Sequence, residues 1–378
     1  MNICLVAELY PPNLGGAELA LSKIAEGFVA RGHEVTVVTS RFDRSLPRSE
    51  QQGKLKIVRA PIFPFLKRFW FILSSLPMIW SHARTCDVIQ GNTFAGAVPA
   101  SIMGLLLGKE RVLLAFEVIG RQWFRFEPSK LRSTFYWLTE RIIVRLPFHR
   151  CIAVSNHTKR TLMSDGVSER KIEVIYLGDS RVEMDAFTRD AVRGELGLTP
   201  SDYVYLATGR TGVTKGLEFL VDAMPEIARR VPSARFLLIF SRYDSRIWRR
   251  ILRRLSGLPS SLYRLVPPVP RETLGRYFSA ADCIVIPSLS EGFGFSALEA
   301  CTVNKVVVAT DAGSLPEVVF GKHVFVKPGS ADELVMGCVK ANAGETTFLP
   351  RREFNWERTV DQFVRVYESL VSEWVDPR

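Results

Sequence analysis

Apolar residues recur along this chain in short runs, separated by stretches in which they fall at helical spacing. Ile3-Cys4-Leu5-Val6-Ala7, Glu34–Thr39, Lys56-Ile57-Val58, Asp87–Gln90, Val112–Phe116, Cys151–Ser155 and Lys171–Leu177 are such runs in the first half. Their β-branched content and length predict buried strands. Between the first two, Ala17 to Arg31 carries Leu19, Ile24 and Phe28 on one helical face and stops before Gly32, a C-cap residue. Each later run leads into a helical or loop segment, as at Asn156-His157-Thr158-Lys159. The second half repeats the alternation with Tyr203–Thr208, Arg235–Phe240, Tyr263–Val266, Cys283–Pro287 and Val306–Thr310. Strands alternating with helices predict parallel sheets covered on both faces. The fold class is therefore α/β, in two doubly wound domains, residues 1–183 and 184–356, with a linker around Ser180–Thr188 and a last helical run to Trp374.

A chain of 378 residues suits two cores better than one, and 47% hydrophobic with 24% charged residues is globular. Residues 88–108 are free of charge but hold Gln90, Asn92, Pro99 and several glycines, while Lys67 and Arg68 split 62–80. Neither stretch reads as a membrane span. The chain starts on an apolar strand, with no signal-peptide pattern, and its six cysteines are scattered without a C-x-x-C pair. A cytoplasmic protein with neither zinc nor disulfides is expected. The net charge of +11 is uneven: residues 1–185 hold 25 Lys and Arg against 17 Asp and Glu, and 186–378 hold 25 against 22. The basic first half points to an anionic partner, and no nucleic-acid motif is present.

Candidate chemistry concentrates where Cys283–Pro287 runs into Ser288-Leu289-Ser290-Glu291-Gly292-Phe293-Gly294-Phe295 and on to Leu298-Glu299-Ala300. A strand, a glycine loop and a helix start together offer unpaired N–H groups and the positive end of a helix dipole to an anion. Gly292 and Gly294 allow close backbone approach, and Glu291 and Glu299 bracket the loop with acceptors for hydroxyls. Gly209-Arg210, followed by Lys215-Gly216, places two cations on another such loop, chemically suited to a diphosphate. Gly15-Gly16 sits where the first loop meets a helix, although alone a plain turn explains it equally well. It is not a dinucleotide fingerprint, since G-x-G-x-x-G is absent.

Glu291 and Glu299 are separated by seven intervening residues inside Pro287-Ser288…Glu291-Gly292-Phe293-Gly294…Leu298-Glu299-Ala300. That stretch resembles the E-x7-E signature of retaining glycosyltransferases of family 4. The resemblance extends to Gly15-Gly16-Ala17-Glu18, Gly209-Arg210…Lys215-Gly216, Val306–Glu317 and Phe354-Asn355-Trp356-Glu357, nearly the whole length. It implies the GT-B fold, two Rossmann-like domains facing a central cleft, with residues 357–378 crossing back to the N-terminal, acceptor-binding domain. It further implies a retaining, metal-independent hexosyltransferase using a UDP- or GDP-sugar. In that scheme Glu291, Arg210 and Lys215 are catalytic. Gly15, Gly16, Glu299, Gly292, Phe293, Gly294 and Phe295 bind the donor, and no cofactor or metal is needed.

Two positions depart from the pattern. Phe116 stands where many relatives have a histidine on the transferred sugar, leaving that contact to Glu117, to a shifted loop, to a different sugar pose, or lost with activity reduced. Phe240-Ser241 replaces a frequent glycine pair near the base, so nucleotide identity stays open. For the acceptor, residues 62–80 and 122–150 mix Trp, Phe and Tyr with Arg and Lys. They suit a protein peripheral on an anionic inner membrane face, reaching a lipid-linked or polysaccharide acceptor. They equally suit amphipathic helices with apolar faces in the core. A soluble acceptor is a further option, and so is a non-catalytic nucleotide-sugar-binding subunit, because of Phe116. The Arg246, Arg249, Arg250, Arg253, Arg254 series reads as a solvated helix face.

Overall fold

The computed structural model describes residues 1–13, 15–179, 182–184 and 188–375, with side chains in the last helix to 372. The chain divides into two compact units, Met1–Gly178 with the segment from Phe354 onward, and Asp179–Glu353. The divisions thus fall at 178/179 and 353/354, a few residues before the expected 183/184 and 356/357. The expected linker lies largely outside the described residues.

The first unit runs β1 (Asn2–Val6), α1 (Gly16–Ala30), β2 (Glu34–Arg41), β3 (Ser49–Gln52), β4 (Leu55–Pro61), α2 (Lys67–His82), β5 (Val88–Asn92) and α3 (Ala97–Leu106). It continues through β6 (Glu110–Ala115), α4 (Trp123–Phe126), α5 (Lys130–Val144), β7 (Arg150–Ala153), α6 (Asn156–Ser164) and β8 (Ile172–Val174). These strands form one sheet in the order β3-β4-β2-β1-β5-β6-β7-β8, parallel except for β3. Ile3 pairs with Val35 and Leu5 with Val37, while Cys4 and Val6 point to the other face. There Cys4 and Val6 meet Phe71 and Ile79 of α2 and Met103 of α3 in one core cluster. A second cluster on α3 and α5 joins Ala97, Leu113, Ile143, Val144 and Phe148. Chain direction explains this arrangement. The connections β4-α2-β5, β5-α3-β6 and β6-α5-β7 all advance the same way across the sheet, so right-handed crossover places α2, α3 and α5 on one face. The connection β1-α1-β2 runs the other way and puts α1 opposite.

The second unit runs α7 (Arg189–Glu195), β9 (Tyr203–Arg210), α8 (Leu217–Arg230), β10 (Ala234–Ser241), α9 (Ser245–Leu255), β11 (Tyr263–Val266), α10 (Arg271–Ala280) and β12 (Cys283–Ile286). After these come α11 (Phe295–Thr302), β13 (Val306–Thr310), α12 (Leu315–Val318), β14 (Gly321–Val326), α13 (Ala331–Asn342) and β15 (Thr347–Leu349). The sheet order is β11-β10-β9-β12-β13-β14-β15, parallel except for β15. Its core stacks Tyr205 on Phe236 at 5.3 Å and packs Leu220, Met224 and Ile251 around them.

The last helix, α14 (Trp356–Val375), belongs to the first unit and lies on α1. Phe28 meets Phe363 at 6.3 Å and Tyr367 at 5.3 Å, Arg31 pairs with Asp361 at 2.6 Å, and Tyr367 donates to buried Gln90. Gly27 is needed at this crossing, since a Cβ there would lie 2.4 Å from a Val360 methyl. All six cysteines are buried thiols, and no helix among the described residues is long and apolar enough to cross a membrane.

Candidate active site

Three strands that neighbour one another, β9, β12 and β13, send their following loops to the same end of the second sheet. The carboxyl ends of parallel strands are where α/β sheets bind ligands. The β12 loop is held on both sides. From the β9 side, Thr214 O accepts the N–H of Leu289 at 2.7 Å and of Ser290 at 3.2 Å. Gly216, at φ +59, lies so close that a Cβ would sit 2.0 Å from Pro287 O. From the β13 side, Ser314 donates its N–H and its hydroxyl to Glu291 O, at 3.0 and 3.1 Å. Gly313, at φ +61, would drive a Cβ to 2.3 Å from that same carbonyl. Thr310 Oγ1 donates to Ser288 O at 2.5 Å and completes the clamp. Only glycine tolerates both the positive φ and the contact at 216 and 313.

This clamp fixes Glu291. Its buried carboxylate accepts from Lys215 Nζ at 2.6 Å and from Ser288 Oγ at 2.8 Å, both at Oε1. A buried carboxylate with a cation and a hydroxyl on one oxygen is a directed acceptor. Gly294, at φ +90, starts α11 without a side-chain cap, which leaves the N–H groups of Phe295 and Ser296 to an acceptor, while that of Ala297 donates back to Gly294 O at 3.0 Å. Phe293 and Phe295 pack edge-on at 5.1 Å beside it, and Gly292 is buried in the loop. Glu299, buried one turn into α11, pairs with Arg271 Nη2 at 2.6 Å. Arg210 ends β9, its guanidinium 5.4 Å from the Tyr243 ring centre.

The structure thus brings Lys215, Glu291 and the Gly292–Phe295 loop together and sets Glu299 on the helix that follows. Gly15 and Gly16 belong to the other unit. Gly15 is the extended residue before α1, where a Cβ would strike the Glu18 carboxylate at 2.1 Å. Glu18 in turn accepts from Asn13 Nδ2 at 2.8 Å. Phe116 lies one residue beyond β6 and is half-buried. The loop it opens is pinned by Glu140 of α5, which accepts from Ile119 N at 3.0 Å and Gly120 N at 2.5 Å. Burial pushes the Glu140 carboxyl up to about 7, against the lowering by those two N–H groups. Glu8, after β1, pairs with Arg68 at 3.2 Å, yet burial still raises its carboxyl above the ordinary range. Among the described residues no cluster of three His, Cys, Asp or Glu side chains could hold a metal ion.

Sequence reasoning missed Arg271, Ser288, Ser314, Tyr243, Glu8 and Glu140. Ser288 and Ser314 lay inside quoted motifs without a role, and Arg271 stands 28 positions from the carboxylate it meets. No local pattern announces such a pair.

A family model for glycosyl transferases group 1 matches residues 202–341, and one for glycosyltransferase family 4 matches residues 14–178. An uncharacterised glycosyltransferase of Methanocaldococcus jannaschii is 27% identical, over 97% of this chain and 98% of its own. One human phosphatidylinositol N-acetylglucosaminyltransferase subunit is 22% identical, over 100% of this chain and 78% of its own. Among solved structures, sucrose-phosphate synthase from Thermosynechococcus elongatus matches with a TM-score of 0.77 at 20% identity, over 98% of this chain and 99% of that one. Anabaena HepE, solved with UDP and glucose, matches with a TM-score of 0.72 at 18% identity, over 98% and 100%. At these identities the structural likeness shows the fold, GT-B with two Rossmann-like units. With both family models matching, one on each unit, the chain belongs to the group 1, family 4 glycosyltransferases.

Proposed function

We propose that the chain transfers a hexosyl unit from a nucleoside diphosphate sugar to an acceptor hydroxyl, with retention of anomeric configuration. The observation that carries this is Glu291, buried, oriented by Lys215 and Ser288, and set beside an uncapped helix start at the strand ends. HepE, solved with UDP and glucose and also with UDP-glucose, supports a uridine donor here. Glu291 accepts hydrogen bonds from the sugar hydroxyls and Glu299 from the ribose. Lys215 and Arg210 stabilise the diphosphate as charge develops on it, with the N–H groups of Gly292–Phe295 orienting sugar and phosphate. The acceptor oxygen bonds to the anomeric carbon as the bond to the phosphate oxygen breaks, on the same face. The acceptor proton leaves with that phosphate oxygen. The fixed cations supply the positive charge, so no divalent ion is invoked.

The acceptor is a lipid-linked saccharide or growing polysaccharide at the inner membrane face. The likeness to the human phosphatidylinositol N-acetylglucosaminyltransferase subunit supports a lipid-borne hydroxyl. Phe116 favours one second reading. A phenyl ring can neither donate nor accept the sugar contact, which fits a donor-binding subunit without turnover.

The test is nucleotide release from a panel of UDP-, GDP- and ADP-sugars, with membrane extract as acceptor source and Glu291→Ala beside wild type. Turnover of one donor, lost in the variant, supports the transferase. Donor binding without turnover supports the subunit reading, and no binding of any donor contradicts both.

A further inference from the structure

Helices α2, α3 and α5 lie side by side on one face of the first sheet, and each is apolar on both sides. On α5, Ser133, Glu140, Ile143 and Val144 turn inward. Leu131, Phe135, Leu138 and Ile142, spaced four, three and four apart, form a second stripe on the opposite side, all exposed, Leu131 at 82%. On α2, Phe71, Ser75 and Ile79 face the core, while Phe69, Leu73 and Trp80 form an outward stripe. Phe63, Phe65 and Leu66 extend this stripe in the loop that leads into α2, with Phe65 76% exposed. Between these helices α3 exposes Ile102, Leu105 and Leu106. Scattered exposed leucines need no explanation, but three adjacent helices with aligned outer stripes do.

Charge identifies the occupant. Between positions 62 and 145 eight lysines and arginines are exposed, whereas none of the five carboxylates there (Asp87, Glu110, Glu117, Glu127, Glu140) is. Four of these cations sit at the ends of the stripes: Lys67 at the start of α2 and Arg84 after its end, Lys130 and Arg145 likewise on α5. Arg84 lies 4.7 Å over the Trp80 ring, a cation held at the edge of an apolar surface. A second copy of the chain would set like charge against like charge, because a symmetric contact repeats the same patch. A bilayer with anionic headgroups matches on both counts, with acyl chains for the rings and aliphatics and phosphates for the cations.

We propose that the outer faces of α2, α3 and α5 are a docking surface for an anionic lipid bilayer. The proposal deepens the reading of a membrane-borne acceptor and rests on it for its purpose, though not for its geometry. The helices lie in the interface plane and do not span it, since every inner face is committed to the protein core.

The experiment is co-sedimentation of the full chain with vesicles of phosphatidylcholine alone, or mixed with phosphatidylglycerol, at low and high salt. Wild type should pellet with the mixed vesicles, weakly with the neutral ones, and less at high salt. The triple variant Leu131→Ser, Phe135→Ser, Ile142→Ser should bind about tenfold more weakly or worse, because each serine removes an inserted apolar group. Its melting temperature should match wild type, as these side chains support no core. Arg249→Glu with Arg253→Glu, exposed cations on α9 of the other unit, should bind as wild type does. Unimpaired binding by the triple variant, or equal loss in the α9 variant, overturns the surface. A wild type that ignores anionic vesicles, or that buries this face in a lipid-independent dimer, overturns it too. Donor turnover measured alongside separates the two claims. Turnover without vesicle binding contradicts only the docking surface, and vesicle binding without turnover contradicts only the transferase.

Discussion

Glu291 is held by its backbone as firmly as by its side chain. Gly313 and Ser314 fix its carbonyl while Lys215 and Ser288 fix its carboxylate. Gly313→Ala should therefore act twice, through a left-handed φ of +61 and through a Cβ pressed onto Glu291 O. A loss of about 2 kcal/mol or more is expected in urea denaturation, together with reduced donor turnover. Lys215→Ala leaves the buried carboxylate with Ser288 alone at Oε1, and turnover should fall about 100-fold or more. Glu140 gives a pH dependence with a definite sign. Its folded value of about 7 lies above the ordinary 4.5, so the folded state holds the proton more tightly than the unfolded chain. The stability this adds is complete below about pH 4.5 and lost as pH rises through about 7. Melting temperature should thus fall across that window, and Glu140→Gln should flatten the fall. An unchanged slope in the variant would place the titration elsewhere.

At the level of elements, β-branched runs made most strands legible, because a strand buried on both faces leaves no room for polar alternation. The polar edge strand Ser49–Gln52 was invisible for the same reason: it is largely exposed and carries no apolar signal. Amphipathic character at 62–80 and 122–150 was legible, but its direction was not. A helix with two apolar stripes gives the same composition whichever one faces the core. Only the sheet identifies Phe71 and Ile79 as inner and Phe69 and Leu73 as outer. The helix α14 shows what inward burial contributes. Phe363 is fully buried against Phe28 and Tyr367, so Phe363→Ala should cost about 3–5 kcal/mol in denaturant unfolding. A cost below about 1 kcal/mol would mean that α14 is not integral to the first unit.

For the whole molecule, the chain returns to its first unit only after completing the second. Residues 179–353 are contiguous and carry their own sheet and core, so this fragment should fold alone with a cooperative melt. Residues 1–178 lack α14 and would expose Phe28 and the Gly27 contact, so they should be less stable until 354–375 is supplied. The loops after β9, β12 and β13 all come from the contiguous unit, which is why their motifs were legible as short strings, while Gly15 and Gly16 lie in the first unit. The Arg271–Glu299 pair and the Gly313 clamp were not, since each joins segments that sequence spacing does not link. The most direct measurement is calorimetric titration of UDP and GDP into the full chain, wild type beside Lys215→Ala. Binding of one nucleoside diphosphate by wild type, weakened about tenfold or more in the variant, is the predicted result. Equal affinity in both proteins, or no binding by wild type, would contradict a diphosphate site at these loops.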